Sequence, residues 1–254
     1  MSAPPFSAVL SLSGGVSSFL AARRYLDEWG SRGVAAVFAD TLIEDPDVYR
    51  FVRESAAYLG VPFYWLKDGR DPWQVFADER YIGNSRAAKC SDLLKRRVVR
   101  RWMAENCSEG ASLVLGFGFE EPERVARAVV RSRPWRVVAP LAVRPWMGKA
   151  EQLRTVAALG IAPPSSCALG FPHANCGGFC VRAGAAHFLH LLRVYPERFA
   201  HHEAQEATLS ARLGGRSILR DSSGAPMLLS ELRGRASTGG LFDHLGAAGC
   251  GCTI

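Results

Sequence analysis

The chain has 254 residues, and its 31 Lys and Arg residues outnumber 24 Asp and Glu residues, for a formal net charge of +7. Hydrophobic residues make up 48% and charged residues 22%, which excludes an intrinsically disordered chain and is enough to build a buried core. No apolar run reaches the ~20 residues of a spanning helix, and the first residues carry no export signal. We therefore expect a cytoplasmic protein without a membrane partner.

The first half of the sequence alternates strand and helix patterns. Short apolar runs predict strands at 8–11, 34–38, 61–66, 113–117 and 136–139. Helical stripes that end at glycines separate the first three strands. Strands separated by helices of this length predict an α/β fold with a mostly parallel sheet, and a site at the carboxyl ends of its strands.

The second half has a different rhythm. A helix at 150–159 leads to the turn-rich segment 160–178, two helices at 180–195 and 196–213, and a glycine-rich end with a hairpin through Ile218 and 227–229. We therefore divide the chain into a nucleotide-binding α/β domain at 1–150 and a Cys-rich helical region at 151–254 that ends in a flexible tail.

A Ser/Gly-rich loop at 13–18 joins the first strand to the first helix. Its glycines let backbone N–H groups approach an anion, its hydroxyls add donors, and the helix N-terminus adds partial positive charge. The alternative is a turn that only caps the helix. The loop is neither a Walker loop nor a dinucleotide fingerprint. The predicted phosphate-binding residues are Ser11, Ser13, Gly14, Gly15, Val16, Ser17 and Ser18.

The positive charge is concentrated in one stretch. Residues 80–154 hold 16 Lys and Arg against 7 Asp and Glu, a balance of +9, whereas the remainder holds 15 against 17, a balance of −2. This concentration favours a surface for anionic groups, and a solvated helix face is the alternative.

The loop resembles the S-G-G-x-[DS]-S signature of the PP-loop superfamily, which contains the N-type ATP pyrophosphatases and the phosphoadenylyl-sulfate (PAPS) reductases. Residues 38–46 are similar to the D-T-G-x-E-x-P region of the reductases, and residues 89–96 resemble their Cys/Lys/Arg substrate segment. Residues 116–124 resemble their G-x-R-x-x-E-x-x-R loop, and residues 140–149 resemble P-L-x-x-W-x-x-x-D/E.

The resemblance implies a Rossmann-like (HUP-type) fold, adenine nucleotide alpha-hydrolase-like, that binds ATP or a PAPS-like nucleotide with Mg²⁺. It adds Asp40, Thr41 and Gly116 to the nucleotide site, although Asp40 is also a good turn cap. It also implies that a site with Cys90, Lys95, Arg96 and Arg124 performs the catalysis. Ser17 stands where the family has an Asp, so nucleotide binding is a safer expectation than nucleotide cleavage.

The cysteines are the second chemical signal. An odd count of seven, without an export signal, disfavours a disulfide framework. Cys167, Cys176 and Cys180 form C-x8-C-x3-C, which with His173 suits structural Zn²⁺ or, as three thiolates, a [4Fe–4S] cluster. Unligated thiols packed in a turn are the alternative.

The other candidate thiols are Cys90 and a terminal pair, Cys250 and Cys252. The terminal pair resembles the catalytic tail cysteine of PAPS reductases. Two alternatives are that one of these thiols completes the metal site and that the tail is inert. Cys90 is a fourth ligand or a thiol that faces the substrate.

These signals lead to one leading hypothesis and two alternatives. The leading hypothesis is a PP-loop sulfurtransferase that adenylates an anionic small molecule or RNA, with a Cys-ligated centre and a sulfur donor. One alternative is a PAPS reductase-like oxidoreductase that needs a thiol reductant. The other is a nucleotide-binding sensor without cleavage, which Ser17 motivates.

Overall fold

The main sheet contains five parallel strands in the order β3-β2-β1-β4-β5. The computed structural model describes residues 5–85, 87–172 and 175–237. The strands of this sheet are β1 (Phe6–Leu12), β2 (Val34–Asp40), β3 (Phe63–Lys67), β4 (Cys107–Val114) and β5 (Arg136–Val138). The predicted Rossmann-like α/β fold is therefore confirmed.

Helices follow most of the strands and flank the sheet. They are α1 (Val16–Trp29), α2 (Pro46–Leu59), α3 (Pro72–Asp78), α4 (Arg97–Asn106), α5 (Pro122–Arg131), α6 (Lys149–Ala158), α7 (Ser165–Ala168), α8 (Ala185–Val194), α9 (Pro196–Arg212) and α10 (Leu229–Ser237). A π-helical stretch, Ser91–Arg96, leads into α4, and short 3₁₀ turns occupy Pro140–Ala142 and Asn175–Gly178.

Both faces of the sheet are covered. Ala8 and Leu10 of β1 pack against α1, α2 and α6 on one face, while Val9 packs with α4 and α5 on the other. Successive strand residues point to opposite faces, so a strand covered on both sides has to be apolar throughout. This explains the unbroken apolar runs of β1 and β2 in the sequence.

The C-terminal helices share a core with the first half of the chain. Phe188 of α8 and Phe199 of α9 belong to a buried cluster that also contains Trp73 and Phe76 of α3. The predicted hairpin is confirmed as the antiparallel pair β6 (Leu219–Arg220) and β7 (Pro226–Met227). The division of the chain at residue 150 stays a prediction.

Several element boundaries differ from the sequence-based prediction. β4 begins at Cys107, six residues before the predicted strand. The prediction missed this start because the first residues of the strand are polar or exposed and show no apolar pattern. The helix predicted at 180–195 begins only at Ala185, since Gly184 is its extended N-cap. In the part of the chain that the structure describes, no helix combines the length and apolarity that a membrane crossing requires.

Candidate functional site

A cavity of about 450 Å³ opens at the carboxyl ends of β1 and β4. The strand order reverses between these two strands, which is where open α/β sheets form their ligand crevice. Four parts of the chain line the cavity: the loop after β1, residues 115–121 after β4, residues 147–152 at the start of α6, and Cys167 with Pro172. Segments from both halves of the chain thus meet at one site.

The loop after β1 leaves the N-terminus of α1 without a side-chain cap. Gly15 is the N-cap, with extended backbone and no capping hydrogen bond, whereas Asp45 caps α2 by accepting from the N–H of Asp47. Ser18 stays inside the loop, since its Oγ donates to the Gly15 carbonyl (2.8 Å) and accepts from the N–H of Ser13 (3.0 Å). The first N–H groups of α1 are therefore available to an anion in the cavity.

Two glycines make this loop possible. Gly14 has a φ of 78° and packs so closely on α2 that a Cβ would lie 2.4 Å from Val48 Cγ1. Gly116, at the end of β4, packs against the start of α1, where a Cβ would lie 2.6 Å from the Ser18 Cα. Val16, the first residue of α1, is fully buried in the core next to the loop.

Gln152 on α6 holds the hydroxyl of Ser17. Its Nε2 donates to the Met147 carbonyl (3.0 Å), which orients the amide, and its Oε1 lies 2.6 Å from Ser17 Oγ. An amide oxygen can only accept, so Ser17 donates its single proton to Gln152. Sequence reasoning missed Gln152, because a lone Gln in a helical pattern carries no local signal.

Arg124 lies on the wall of the cavity beside Glu121. Glu121 Oε2 accepts from the N–H of Gly118 (3.0 Å), and Glu121 Oε1 pairs with Arg124 Nη1. The Arg124 guanidinium lies 4.8 Å from the Phe117 ring centroid, and its buried Nε has no hydrogen-bond partner. Arg124 thus contributes a positive charge, partly paired with Glu121, to the wall of the cavity. Glu121, which orients it, is a second residue that sequence reasoning missed.

Lys95 and Arg96 line a second, smaller cavity of about 70 Å³, which also touches Ser11 and Ser13. Lys95 Nζ lies 3.4 Å from Glu44 Oε1, in a pair that is largely shielded from solvent. Burial opposes the charge of Lys95, but Glu44 together with the sulfurs of Cys176 and Cys180 holds the pKa of Lys95 above its usual value. Arg96 pairs with Asp92 at 3.0 Å. Both predicted catalytic cations thus have a carboxylate partner within the chain.

Asp40 is already saturated by donors of its own chain. Its carboxylate accepts from the N–H of Leu42 (2.8 Å), the hydroxyl of Tyr49 (2.8 Å) and the indole of Trp65 (2.9 Å). Thr41 donates to Glu44 at 3.0 Å. These contacts match the turn-cap interpretation of Asp40, and its predicted role toward a nucleotide stays a prediction.

The candidate cysteines of the site that the structure describes lie in two different surroundings. Lys149 and Asp47 are the charged groups that act on Cys167, which lines the large cavity. Cys176 instead lies near Glu44, Lys95 and two thiols, Cys90 and Cys180. Burial raises the pKa of Cys90 to about 11 and that of Cys176 well above its ordinary value, which keeps both as protonated thiols.

The predicted metal set is not brought together in the part of the chain that is described. Among those residues, no group of three or more His, Cys, Asp or Glu side chains is arranged to hold a metal ion. His173, Cys250 and Cys252 lie outside the described residues. The Zn²⁺ or [4Fe–4S] ligand set therefore stays a prediction.

No family model and no curated protein matches the sequence. Among solved structures, the chain is similar to a PAPS reductase from Candida auris, with 17% identity and a TM-score of 0.45 over 66% of this chain and 79% of that one. It is also similar to an NH3-dependent NAD synthetase from Campylobacter jejuni, with 14% identity and a TM-score of 0.42 over 84% and 86% of the two chains.

Proposed function

We propose that the large cavity binds the phosphates of ATP or of a related adenylyl nucleotide. The observation that carries the proposal is the uncapped N-terminus of α1, which opens onto a 450 Å³ cavity at the reversal of strand order. Backbone donors and the helix dipole at such a position favour a phosphate over a neutral ligand.

The cations around the cavity support the same conclusion. Lys149 is exposed at the first position of α6 and forms no ion pair with any described residue. Arg124, whose Nη1 pairs with Glu121, adds a second positive charge at the wall. Both groups stabilise negative charge that develops when a nucleotidyl group is transferred. Glu120 and Ser17 supply oxygen ligands of the kind that Mg²⁺ prefers, and bound Mg²⁺ neutralises phosphate charge.

The chemistry that we propose is activation of a second substrate followed by sulfur transfer. An oxygen of the acceptor attacks the α-phosphate, the α–β bond breaks, and pyrophosphate leaves. A sulfur nucleophile then displaces AMP from the adenylated acceptor. Cys167 supports this assignment, because its thiol lines the same cavity as the phosphate loop. Lys149 lies close enough to favour the thiolate form, although burial raises the pKa of Cys167 overall.

The residues described do not fit a metal cluster as the sequence predicts it. Cys167 lies at the cavity, while Cys176 and Cys180 lie with Cys90 beside Lys95. We therefore assign no step of the reaction to iron–sulfur or zinc. Metal analysis of anaerobically purified protein tests the sequence-based expectation separately.

Nucleotide titration tests the binding proposal. We expect ATP or PAPS to bind in calorimetry, with GTP as the control for base preference. Absence of binding by both adenine nucleotides overturns the proposal. For the reaction, α-labelled ATP is incubated with sulfide and total RNA or small anionic acceptors, and AMP and pyrophosphate are measured. Sulfite release from PAPS with a thiol reductant identifies the reductase alternative. Tight ATP binding without turnover in any mixture identifies the sensor.

A further inference from the structure

A stacked pair of aromatic rings lies at the mouth of the large cavity. Phe119 lines the cavity, and Trp146 stacks on it with ring centroids 5.1 Å apart and an interplanar angle of 18°. Trp146 is 50% exposed, and neither ring belongs to a hydrophobic core cluster of the described residues. Core packing therefore does not account for this pair.

The segment that carries Trp146 is held in place from both sides. Arg24 of α1 donates to the carbonyls of Val143, Pro145 and Arg144, with Nη1 to Pro145 O at 2.9 Å. After Trp146, the Met147 carbonyl accepts from Gln152, the residue that also holds Ser17 of the phosphate loop. The exposed indole is thus fixed relative to the phosphate loop, and such preorganisation lowers the entropy cost of binding a ligand.

Positive charge accompanies the aromatic pair. The Arg144 guanidinium carbon lies 4.3 Å from the Trp146 ring centroid. Arg144 is exposed, and no carboxylate of the described chain pairs with it. Lys149 lies three residues beyond the indole. The guanidinium therefore covers part of the indole, and a stacked base replaces it there while Arg144 turns toward the phosphate. A planar platform with cations that no carboxylate neutralises suits a planar base linked to a phosphate.

We propose that the Phe119–Trp146 stack binds an unpaired base of a nucleic-acid strand, and that Arg144 binds its phosphate. The base must be unpaired because bases inside a duplex do not expose a ring face to a side chain. This inference rests on the proposed function, since the base would lie next to the nucleotide phosphates as the second substrate. The balance of +9 over residues 80–154 adds attraction for a polyanion.

Fluorescence anisotropy with a labelled 12-nucleotide single-stranded RNA of mixed sequence tests the proposal, with the DNA of the same sequence and AMP as further probes. We expect Trp146→Ala to weaken RNA binding by about 5- to 150-fold, the range for loss of one stacked base. Trp146→Phe keeps a ring and loses less. Arg144→Gln weakens binding and flattens its salt dependence.

Trp29→Ala is the matched control. Trp29 is 52% exposed and lies against Tyr25, but at the opposite end of α1 from the phosphate loop. Equal effects of Trp29→Ala and Trp146→Ala, or no RNA binding at all, overturn the proposal. If the DNA binds as tightly as the RNA, the proposal holds for single strands of either nucleic acid. If AMP also binds and Trp146→Ala weakens that binding, the proposal is overturned.

ATP titration of Trp146→Ala separates this inference from the proposed function. We expect the Kd for ATP to stay unchanged. If Trp146→Ala lowers the affinity for ATP as much as the affinity for RNA, the Phe119–Trp146 stack binds the adenine of ATP, and the inference is overturned. Failure of the wild-type protein to bind ATP refutes the proposed function, and Trp146-dependent RNA binding is then still measurable.

Discussion

A single methyl group at Gly15 tests whether the start of α1 binds phosphate. Gly15 has φ −104° and ψ 151°, which alanine adopts without strain, and the nearest atom to an added Cβ is Ser13 Oγ at 3.7 Å. Gly15→Ala is therefore expected to fold, because the gain of about 0.4–1 kcal/mol from lost backbone freedom in the unfolded chain offsets the poorer N-cap preference of alanine. Any loss of binding then comes from the cavity.

The methyl group occupies space that a phosphate oxygen needs to reach the backbone donors. One charge-assisted hydrogen bond contributes about 1.5–3 kcal/mol, so we expect Gly15→Ala to raise the Kd for ATP by about 10- to 150-fold in calorimetric titration. Gly184→Ala is the matched control, because Gly184 is also an extended, uncapped N-cap with room for a Cβ, but it does not line the cavity. Equal ATP affinity in the two variants refutes the phosphate-loop reasoning.

Three further predictions follow from contacts elsewhere in the structure. Gly116→Ala forces a Cβ to 2.6 Å from the Ser18 backbone, so we expect the free energy of unfolding to fall by about 1–3 kcal/mol. Calorimetry should show a lower Tm, and an unchanged Tm contradicts the close packing. Burial lowers the pKa of His202 from 6.5 to about 3, so the unfolded state binds the proton first and stability is lost as the pH falls from 6.5 toward 3. Urea unfolding should show about 2 kcal/mol lost between pH 6.5 and 5.0 from this group, and His202→Gln should remove that part of the slope. Cys167 lines the large cavity, so bound ATP should slow its alkylation, which mass spectrometry maps. Cys107, at the start of β4, is the control whose alkylation rate should not change. Equal rates at Cys167 with and without ATP count against its place in the nucleotide cavity.

The parallel sheet was predictable because its signal is local. β1 and β2 are buried on both faces, so each contains an apolar run, 8–10 in β1 and 34–39 in β2, and glycines mark where the following helices end. The turn at 13–18 was also visible in the sequence, because Gly14 and Gly15 are adjacent there, whereas its packing on Gly116 was not. Phosphate binding by this loop stays a prediction. The polar first residues of β4 carried no such signal, so the boundary was wrong there.

Contacts between distant parts of the chain were not predictable. Spacing grouped Cys167 with Cys176 and Cys180 and left the place of Cys90 open; the structure puts Cys90 near Cys176 and Cys180, and Cys167 lines the large cavity. Asp40 shows the same limit, because its saturation depends on an indole 25 residues away. Residue types indicate what chemistry is available, and only the fold decides which groups meet.

The hydrogen bond between Ser17 and Gln152 has an electrostatic consequence for the loop. Because Gln152 takes the only proton of the hydroxyl, Ser17 presents lone pairs alone to the cavity, as a carboxylate at this position does. The pair carries no formal charge, whereas a carboxylate carries one negative charge. An anion that enters the cavity therefore meets a neutral oxygen in place of a negative charge, and its binding responds less to ionic strength at this position.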